Sequence, residues 1–291
     1  MAKNLLSKIN EQMPTFSKGQ KLIAHFIEEH YDKAAFMTAS KLGATVGISE
    51  STVVRFATEL GYNGYPKMQK AMQEMVRDKL TSIQRIEVTK KRIDNDNILE
   101  TVLCQDIEKI RSTIDETSKD NFKNAVKAIS SAKTIYIFAV RSSAALASFL
   151  GYYYSLIFEN VKVISTYGET EIYENLFRIN SDDVIIGISF PRYSNAAIKA
   201  MTFAHHRGAK VIALTDSMTS PLVAMSDYVL IAKSDMASVV DSLVAPLSMI
   251  NALIVATVIN LDEKVKNTFN SLENIWKEYN VYQNNREETT D

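Results

Sequence analysis

The apolar positions near the start of the chain recur with the period of a helix. Leu22, Ile23, Phe26 and Ile27 are separated by short steps of one and three residues, which places them on one stripe. Ser17 stands before this stripe as a candidate N-cap. The pattern therefore predicts a helix with one buried face, followed by further short helices up to about residue 80.

Two of these short helices have the spacing of a helix–turn–helix. Thr38 can cap the first helix and Ser49 the second. Gly43 is small where the two helices must cross closely, and Gly47 occupies the turn, which needs a positive φ. The apolar positions of the pair are Leu42, Val46, Ile48, Val53 and Phe56. Because such a motif places its second helix in a DNA major groove, the sequence predicts a DNA-binding regulator.

The polar residues of the second helix are the candidate DNA contacts. Arg55 suits a bidentate contact to guanine or a phosphate clamp, and Ser51 and Thr52 suit bases or backbone. Glu50 either accepts from a cytosine or stabilises the first helical turn. The residues predicted to contact DNA are Thr38, Ser49, Glu50, Ser51, Thr52 and Arg55. The alternative is that they are ordinary solvated residues on a helical hairpin.

From about residue 106 the pattern changes to short apolar runs that alternate with helical stretches. Runs that are apolar on both faces are typical of a parallel sheet covered by helices on both sides. The runs are Thr134–Val140, Val161–Ser165, Val184–Ser189, Lys210–Thr215 and Tyr228–Ala232, and the helices between or after them include Ser143–Phe158, Ser194–Arg207 and Val239–Ile259. The predicted fold is an all-α helix–turn–helix head joined to a doubly wound, five-stranded α/β domain.

Composition and charge favour a cytoplasmic protein with two domains. Residues 1–92 hold 15 basic against 9 acidic residues, whereas residues 93–291 hold 18 against 25, so the head is basic and the remainder acidic. We expect residues 1–80 to bind DNA, 81–105 to connect, 106–282 to sense a ligand and 283–291 to form a polar tail. Cys104 is the single cysteine, which excludes an internal disulfide and fits a reducing compartment.

The start of the chain lacks an apolar signal-peptide core, and we expect no apolar run that could span a bilayer. The predicted helix Val239–Ile259 is apolar almost all round. It is therefore expected to be either deeply buried or part of a subunit interface. No metal site and no cofactor are expected, since His205 and His206 are adjacent and would point in different directions.

The stretch TVVRFATELGYNGYPKMQ, Thr52 to Gln69, resembles the RpiR/MurR family of bacterial transcription regulators. In that family a threonine-valine-x-arginine-phenylalanine helix precedes a leucine-glycine-aromatic-x-glycine-aromatic segment. The corresponding residues of that segment are Leu60, Gly61, Tyr62, Gly64 and Tyr65. The resemblance implies a DNA-binding head joined to a sugar-isomerase-like (SIS) domain that senses a phosphosugar.

Two predicted strand ends are rich in hydroxyl groups. Arg141-Ser142-Ser143 follows the first strand, and a loop from Ser189 to Ser194 follows the third. Hydroxyls, backbone N–H groups and a helix N-terminus together suit a phosphate or carboxylate, and ligands of such sheets bind at the carboxyl ends of strands. The alternative is that Ser143 and Ser194 simply cap their helices.

The SIS family binds phosphosugars at these two loops, but this chain departs from its usual patterns. Ala139 and Arg141 stand where glycines are expected, and Pro191 and Arg192 stand where a serine and a glycine are expected. Arginine suits phosphate or carboxylate. Alternatively, the arginines fill the pocket by pairing with Glu169, Glu171 or Asp241. The predicted ligand contacts are Arg141, Ser142, Ser143, Ser189, Arg192, Ser194 and Asp241, the last because the family's corresponding region approaches the ligand.

The predicted function is a transcription regulator of carbohydrate metabolism genes whose partners are operator DNA, an anionic sugar effector and further copies of itself, as a homodimer or homotetramer. The alternative is a phosphosugar isomerase, which needs a positioned acid or base. Its candidates would be Glu169, Glu171, Glu174, Asp241 and the pair His205/His206, but they form no evident constellation, and we predict no catalytic residue. The sequence does not predict a dinucleotide-binding protein, because the chain contains no G-x-G-x-x-G turn.

Overall fold

The computed structural model describes residues 5–77, 86, 97–166, 168–234 and 240–282. The chain divides into two compact units, one comprising Met1–Asp96 with Met236–Val240 and the other Asn97–Asp235 with Asp241–Asp291. Most of the connector expected over 81–105 and the expected tail 283–291 lie outside the described residues.

The first unit is helical, as predicted. Its helices are α1 (Leu5–Gln12), α2 (Lys18–Ala34), α3 (Ala39–Val46), α4 (Glu50–Glu59) and α5 (Tyr65–Arg77), with a 3₁₀ turn at Met13–Thr15. Ser17 caps α2 in a reciprocal arrangement, because its hydroxyl accepts from Gln20 N–H while the Gln20 side chain accepts from Ser17 N–H at 2.8 Å. The capping box fixes the start of the helix predicted from Ser17.

One hydrophobic core holds these helices together. Ile23, Ile27, Leu42 and Phe56 are fully buried, and burying each such side chain contributes roughly 1.5–3 kcal/mol. Helix α5 is fixed by polar contacts as well, since the Tyr65 hydroxyl donates to the carbonyl of Met37 at 2.7 Å. Burial raises the pKa of Tyr65 to about 12, so this donor stays protonated at neutral pH.

The second unit is an α/β fold, which confirms the predicted fold class. Its strands are β1 (Ile135–Ala139), β2 (Val161–Ile164), β3 (Val184–Ile188), β4 (Lys210–Thr215) and β5 (Tyr228–Ile231). Its helices are α6 (Ile98–Glu116), α7 (Lys119–Ser131), α8 (Ala144–Ile157), α9 (Glu169–Leu176), α10 (Asn195–His206) and α11 (Val244–Glu278). The strands pair in the order β2-β1-β3-β4-β5, and every pairing is parallel.

Alternate residues of each strand feed two different cores. In β1, Ile135, Ile137 and Ala139 pack towards α7, α8 and α11, whereas Tyr136 and Phe138 pack towards α9 and α10. Because both faces are covered, the central strands are apolar throughout, as a buried parallel sheet requires. The three layers leave the carboxyl ends of the strands as the edge where loops can form a cleft.

The last helix differs from its prediction at both ends. Helix α11 begins at Val244, not at Val239, and continues to Glu278. The expectation that no segment could span a bilayer was wrong by length and composition, because Val244–Leu261 has a mean hydropathy of 1.9. In the structure 33% of that segment is buried, and Ile250 and Leu253 lie in the core beside the sheet. Its apolar character therefore serves in part to cover the sheet.

Helix α6 crosses residue 106, where the second domain was expected to begin. It is joined to the end of β5 by side-chain hydrogen bonds. The Thr113 hydroxyl accepts from Lys233 N–H at 2.9 Å, and the Thr117 hydroxyl donates to the Ile231 carbonyl at 2.8 Å. The residues 98–116 thus fold as part of the second unit.

Candidate functional site

The junction between α3 and α4 is fixed by a close approach of backbone to backbone. The N–H of Ile48 donates to the carbonyl of Gly43 at 2.8 Å, and a Cβ added at Gly43 would lie 2.5 Å from the Ile48 carbonyl oxygen. Gly47 ends α3 with a φ of 75°, a left-handed conformation that side chains disfavour. Both glycines of the predicted turn are therefore required by geometry.

Helix α4 buries its apolar side and exposes its polar side. Val53, Phe56 and Ala57 are fully buried, whereas Glu50, Ser51 and Arg55 are exposed and Thr52 is half-buried. The Arg55 Nε lies 3.4 Å from the Ser51 carbonyl, so this side chain lies along the helix towards its N-terminus. The predicted contact residues of α4 thus form one accessible polar surface.

The hydroxyl groups at the two helix starts have different roles. The Thr38 hydroxyl accepts from Lys41 N–H at 3.2 Å and so caps α3, as expected. Ser49 stands at the N-cap position of α4, but its side chain makes no capping hydrogen bond. It lies instead within 3.0 Å of the Ser51 hydroxyl and 2.9 Å of the Thr52 hydroxyl. The expected capping bond is therefore replaced by a hydroxyl cluster at the start of α4.

In the second unit, the strand order creates a crevice at the carboxyl edge of the sheet. The chain passes from β1 outward to β2 and then returns to β3 on the other side of β1. Ala139 at the end of β1 pairs with Ile188 at the end of β3, so the loops that follow these strands leave the sheet side by side. This is the topological switch point, where doubly wound sheets bind ligands.

The structure brings the predicted ligand contacts of these two loops to that edge. Arg141–Ser143 forms a 3₁₀ turn before α8, in which Ser142 is exposed and Ser143 is buried without a capping bond. In the other loop, Ser189 accepts from Ser194 N–H at 3.2 Å, and Ser194 accepts from Ala196 N–H at 3.2 Å. The capping alternative therefore holds for Ser194 and not for Ser143.

Arg141 and Arg192 both adopt a left-handed backbone conformation, with φ of 59° and 65°. The family pattern has glycine at both of these positions, and glycine adopts such angles without strain. An arginine there costs about 1–2 kcal/mol relative to an ordinary backbone conformation. Strain of this kind is concentrated at functional sites. Both side chains are exposed at the edge of the cleft.

Two of the three carboxylates proposed as alternative partners of these arginines have other contacts. Glu169 forms an ion pair with Lys199 at 2.7 Å, and Glu171 accepts a hydrogen bond from Thr166. Asp241 is half-buried and precedes α11. For Glu169 and Glu171, the pocket-filling arrangement is thus not the one the structure has.

A buried polar network supports the loop that follows β3. The Thr215 hydroxyl donates to the Ser189 carbonyl at 2.9 Å and lies 2.8 Å from the Ser220 hydroxyl. The Tyr193 hydroxyl donates to Asp216 Oδ1 at 2.7 Å. The segment from Leu214 to Leu222, which supplies Thr215, Asp216 and Ser220, resembles the family's threonine-aspartate-serine and serine-proline-leucine pattern, and the sequence predicts a structural turn there with a possible role in lining the cleft. Its hydrogen bonds to the loop after β3 follow only once β4 is placed beside β3.

The isomerase candidates are not brought together. His205 and His206 end α10, which runs from the carboxyl edge of β3 back to the amino edge of β4, so these residues lie at the opposite edge from the cleft. Glu169 is engaged with Lys199 on the exposed surface. Over the described ranges, no cluster of three or more His, Cys, Asp and Glu residues could hold a metal ion.

A helix–turn–helix unit and a doubly wound α/β unit in one chain define a class of transcription regulator. Residues 3–79 match the model of the helix-turn-helix domain of the rpiR family, and residues 128–256 match the SIS domain. The chain belongs to the RpiR family of transcription regulators, with a SIS domain after the helix-turn-helix domain.

Known proteins agree with this assignment. An uncharacterised HTH-type transcriptional regulator of Clostridium perfringens is 27% identical over 73% of this chain and 75% of its own length. The sugar isomerase domain of an RpiR transcription factor from Sphaerobacter thermophilus superposes with a TM-score of 0.59 and 27% identity, covering 61% of this chain and 99% of that domain. The Vibrio vulnificus NanR protein, solved in complex with ManNAc-6P, superposes with a TM-score of 0.55 and 20% identity over 95% of this chain and 99% of its own.

Proposed function

We propose that this regulator controls carbohydrate metabolism genes, that α4 enters the major groove of its operator, and that an anionic sugar derivative, of which phosphosugars are the first candidates, binds at the switch point of the SIS domain. In this proposal residues 1–80 are the DNA-binding domain and residues 106–282 the sensor. The observation that carries it is the pair of arginines in strained left-handed conformations at the cleft.

On the DNA side, the accessible surface of α4 supports specific roles. Arg55 contacts a guanine or a phosphate, and Ser51 and Thr52 contact base edges or backbone. Ser49 and Glu50 stand at the start of the helix, nearest the groove, and Thr38 is at the start of α3, where the first helix of such motifs crosses the phosphate backbone. The positive balance of residues 1–92 favours the approach of this unit to DNA.

On the ligand side, the two loops supply both charge and hydrogen-bond donors. Arg141 and Arg192 offer guanidinium forks to a phosphate or carboxylate. The hydroxyls of Ser142, Ser143, Ser189 and Ser194 can donate to the same group or to sugar oxygens, and Asp241 can accept from sugar hydroxyls. The NanR protein, whose fold is shared, is solved with the phosphorylated sugar ManNAc-6P, which supports this ligand class.

The effector acts by linkage. It changes operator affinity only if it binds the two arrangements of the heads with different affinities. Two heads on a two-fold axis match half-sites about one helical turn apart, or a multiple of it, and so the proposal includes a homodimer or a dimer of dimers. The proposal includes no catalytic step. Isomerisation needs a positioned acid or base at the cleft, and the candidate acids and bases named above are not brought together there.

A gel-shift experiment with DNA from beside the gene tests the DNA-binding half. We expect specific retardation that survives excess unrelated DNA and that weakens as salt is raised. The Arg55→Ala variant is compared with the wild type in the same assay, and we expect it to bind the operator more weakly. Folded wild-type protein that shows no specific retardation at low salt would overturn the proposal.

Calorimetry with phosphorylated and acidic sugars tests the effector half, after a thermal-shift screen has selected candidates. We expect Arg192→Ala to weaken binding of the selected sugar by about 10-fold or more, because a charge-assisted contact is lost. Lys127→Ala, which removes an exposed positive charge on α7, serves as the control. Equal affinity of wild type and Arg192→Ala for every anionic sugar would refute this assignment.

A further inference from the structure

One apolar side chain stands on the exposed side of α4. Val54 is 38% exposed, although the apolar residues Val53, Phe56 and Ala57 of the same helix are fully buried. An exposed valine is common on protein surfaces, so its exposure alone indicates no role. The position of Val54 is what matters, because α4 is the helix that enters the major groove in the proposed function. The predicted DNA contacts of this helix were polar side chains, and Val54 was not among them.

The two flanks of α4 have different surroundings. On one flank, Glu59 accepts a hydrogen bond from the Gln20 side chain of α2. Thr52 is half-buried on the same flank, and a Cβ added at Gly19 of α2 would lie 3.9 Å from Thr52 Cγ2. This flank therefore faces α2, which leaves the flank that carries Val54 as the one turned away from that helix.

Val54 lies in a row with Glu50 and Thr58. Residues four apart lie one above another on a helix, and the hydroxyl of Thr58 donates to the Val54 carbonyl at 3.2 Å. The next row around the helix holds Ser51 and Arg55. All five side chains are exposed. The two rows together form the polar surface of α4, and Val54 is the apolar side chain in the middle of it.

The major groove offers such a side chain one kind of favourable contact. Base edges there present hydrogen-bond donors and acceptors, and thymine also presents its 5-methyl group. A valine placed against the amino group of cytosine or adenine would remove water from that donor without replacing the hydrogen bond. A β-branched side chain in a helix has one strongly preferred χ1 rotamer. Val54 therefore holds its methyl groups in place before DNA binds.

We propose that Val54 contacts the 5-methyl group of a thymine in the operator half-site and makes that base pair part of the recognised sequence. The inference rests on the proposed function for the entry of α4 into the groove. It adds a base that is recognised by apolar contact to those that Arg55 and the hydroxyl groups can contact through hydrogen bonds.

Operator DNA in which thymine is replaced by uracil tests the contact, because uracil differs from thymine only by the missing 5-methyl group. Thymines of the operator fragment are replaced one at a time, and the affinity of the full chain is measured by fluorescence anisotropy. We expect replacement at one position of a half-site to weaken binding by the wild type about 3–4-fold, as the loss of one buried methyl group predicts. Val54→Ala should bind the thymine and uracil fragments equally at that position.

Two control variants separate this contact from a general effect of apolar residues. Val54→Ile keeps a β-branched apolar side chain and should keep the preference for thymine. Leu22→Ala removes a 47% exposed apolar side chain from α2 and should also keep it. Circular dichroism melting establishes that each variant folds, and alanine is well tolerated in a helix at an exposed position such as residue 54.

The comparison between wild type and Val54→Ala isolates the contact, since a change in DNA shape caused by uracil would affect both proteins alike. If the wild type binds every uracil fragment as tightly as the thymine fragment, the inference is wrong. It is also wrong if Val54→Ala retains the full preference of the wild type. A failure of the proposed function would look different, because the wild type would then show no specific binding to the unmodified operator.

Discussion

The two units of this chain use left-handed backbone conformations differently. Among the described residues of the helical unit, such positions are occupied by glycine, as at Gly47 with a φ of 75°. At the carboxyl edge of the sheet, the same conformation is occupied by Arg141 and Arg192, while Gly208, near the opposite edge, is again a glycine. Where only geometry is required, glycine supplies it without strain. Where arginine stands instead, the charged side chain must offset a cost of about 1–2 kcal/mol.

The largest effect is expected for Gly43→Ala, which tests the geometric role of glycine in the helical unit. The new Cβ would lie 2.5 Å from the Ile48 carbonyl, and backbone atoms cannot move aside without separating α3 from the turn. We expect a loss of about 3 kcal/mol in the stability of the helical unit. Hydrogen exchange at the amides of α3 and α4 measures it.

Gly47→Ala is the matched control, because no atom lies within 4 Å of a Cβ built there. Only the positive φ opposes this substitution, and a loss of about 1 kcal/mol is expected. If the two variants were equally destabilised, close approach at Gly43 would not be the cause.

The second test concerns Arg55. Unlike the two arginines of the cleft, Arg55 has an ordinary helical backbone conformation. Arg55 sits in an ordinary helix, so Arg55→Ala should leave folding unchanged, since its side chain is exposed. We expect operator affinity to fall by about 10–100-fold, measured by fluorescence anisotropy at several salt concentrations. Lys127→Ala, with the same change in net charge, should bind as the wild type does. Similar losses in both variants would indicate that only net charge matters.

Much of this arrangement could be predicted from the sequence because local chemistry determined it. The central strands are continuous apolar runs, and their register leaves little freedom once both faces are buried. The helix–turn–helix could be predicted for the same reason, because its local geometry requires glycine at Gly43 and Gly47 and an apolar side chain at Phe56. The two loops after β1 and β3 could be selected because strand ends at a switch point are where ligands of this fold bind.

Other features depend on contacts that are distant in sequence. Helix α6 spans the boundary between the expected connector, which was predicted to be helical or extended, and the expected sensor. That it belongs to the second unit could not be predicted, because exposed apolar residues such as Leu99 and Leu103 give no sign of burial. The hydroxyl of Ser49 contacts the hydroxyls of Ser51 and Thr52 and makes no capping hydrogen bond. The residue type alone does not show which of these contacts forms. The positive φ of Arg141 and Arg192 could not be deduced either, since residues with a Cβ are expected to avoid it.

The third test compares Arg192→Gly with Arg192→Ala and bears directly on the arginines. Both remove the charge, so both should weaken binding of the anionic effector equally. Only glycine relieves the left-handed conformation, and the glycine variant should therefore be about 1 kcal/mol more stable than the alanine variant. Urea denaturation measures the difference. Equal stability of the two would mean that the backbone at residue 192 carries no strain.

The fourth test, with the smallest expected effect, contrasts the two edges of the sheet. At the amino edge, Lys210 Nζ lies 2.8 Å from Asp227 Oδ1, and the N–H of Val211 donates to the other carboxylate oxygen at 2.8 Å. Burial of Asp227 opposes ionisation, but these hydrogen bonds outweigh it and hold the pKa of the carboxyl below its ordinary value. This edge thus has charges that are already paired, and it should have no part in effector binding.

A carboxyl whose pKa is lowered by folding stabilises the native state above the unfolded pKa of about 3.9, and this contribution is lost as the pH falls through the lower folded pKa. Asp227→Asn should therefore cost less than about 1 kcal/mol at pH 7, since the pair is partly exposed, and the difference from the wild type should shrink below about pH 4. Urea denaturation at pH 7 and pH 3 measures both values. Effector affinity should be unchanged, because the pair lies at the edge opposite Arg192. A difference in stability between Asp227→Asn and the wild type that grew towards acid pH would contradict the lowered pKa of Asp227. A weaker affinity of Asp227→Asn for the effector would show that the two edges of the sheet are not independent.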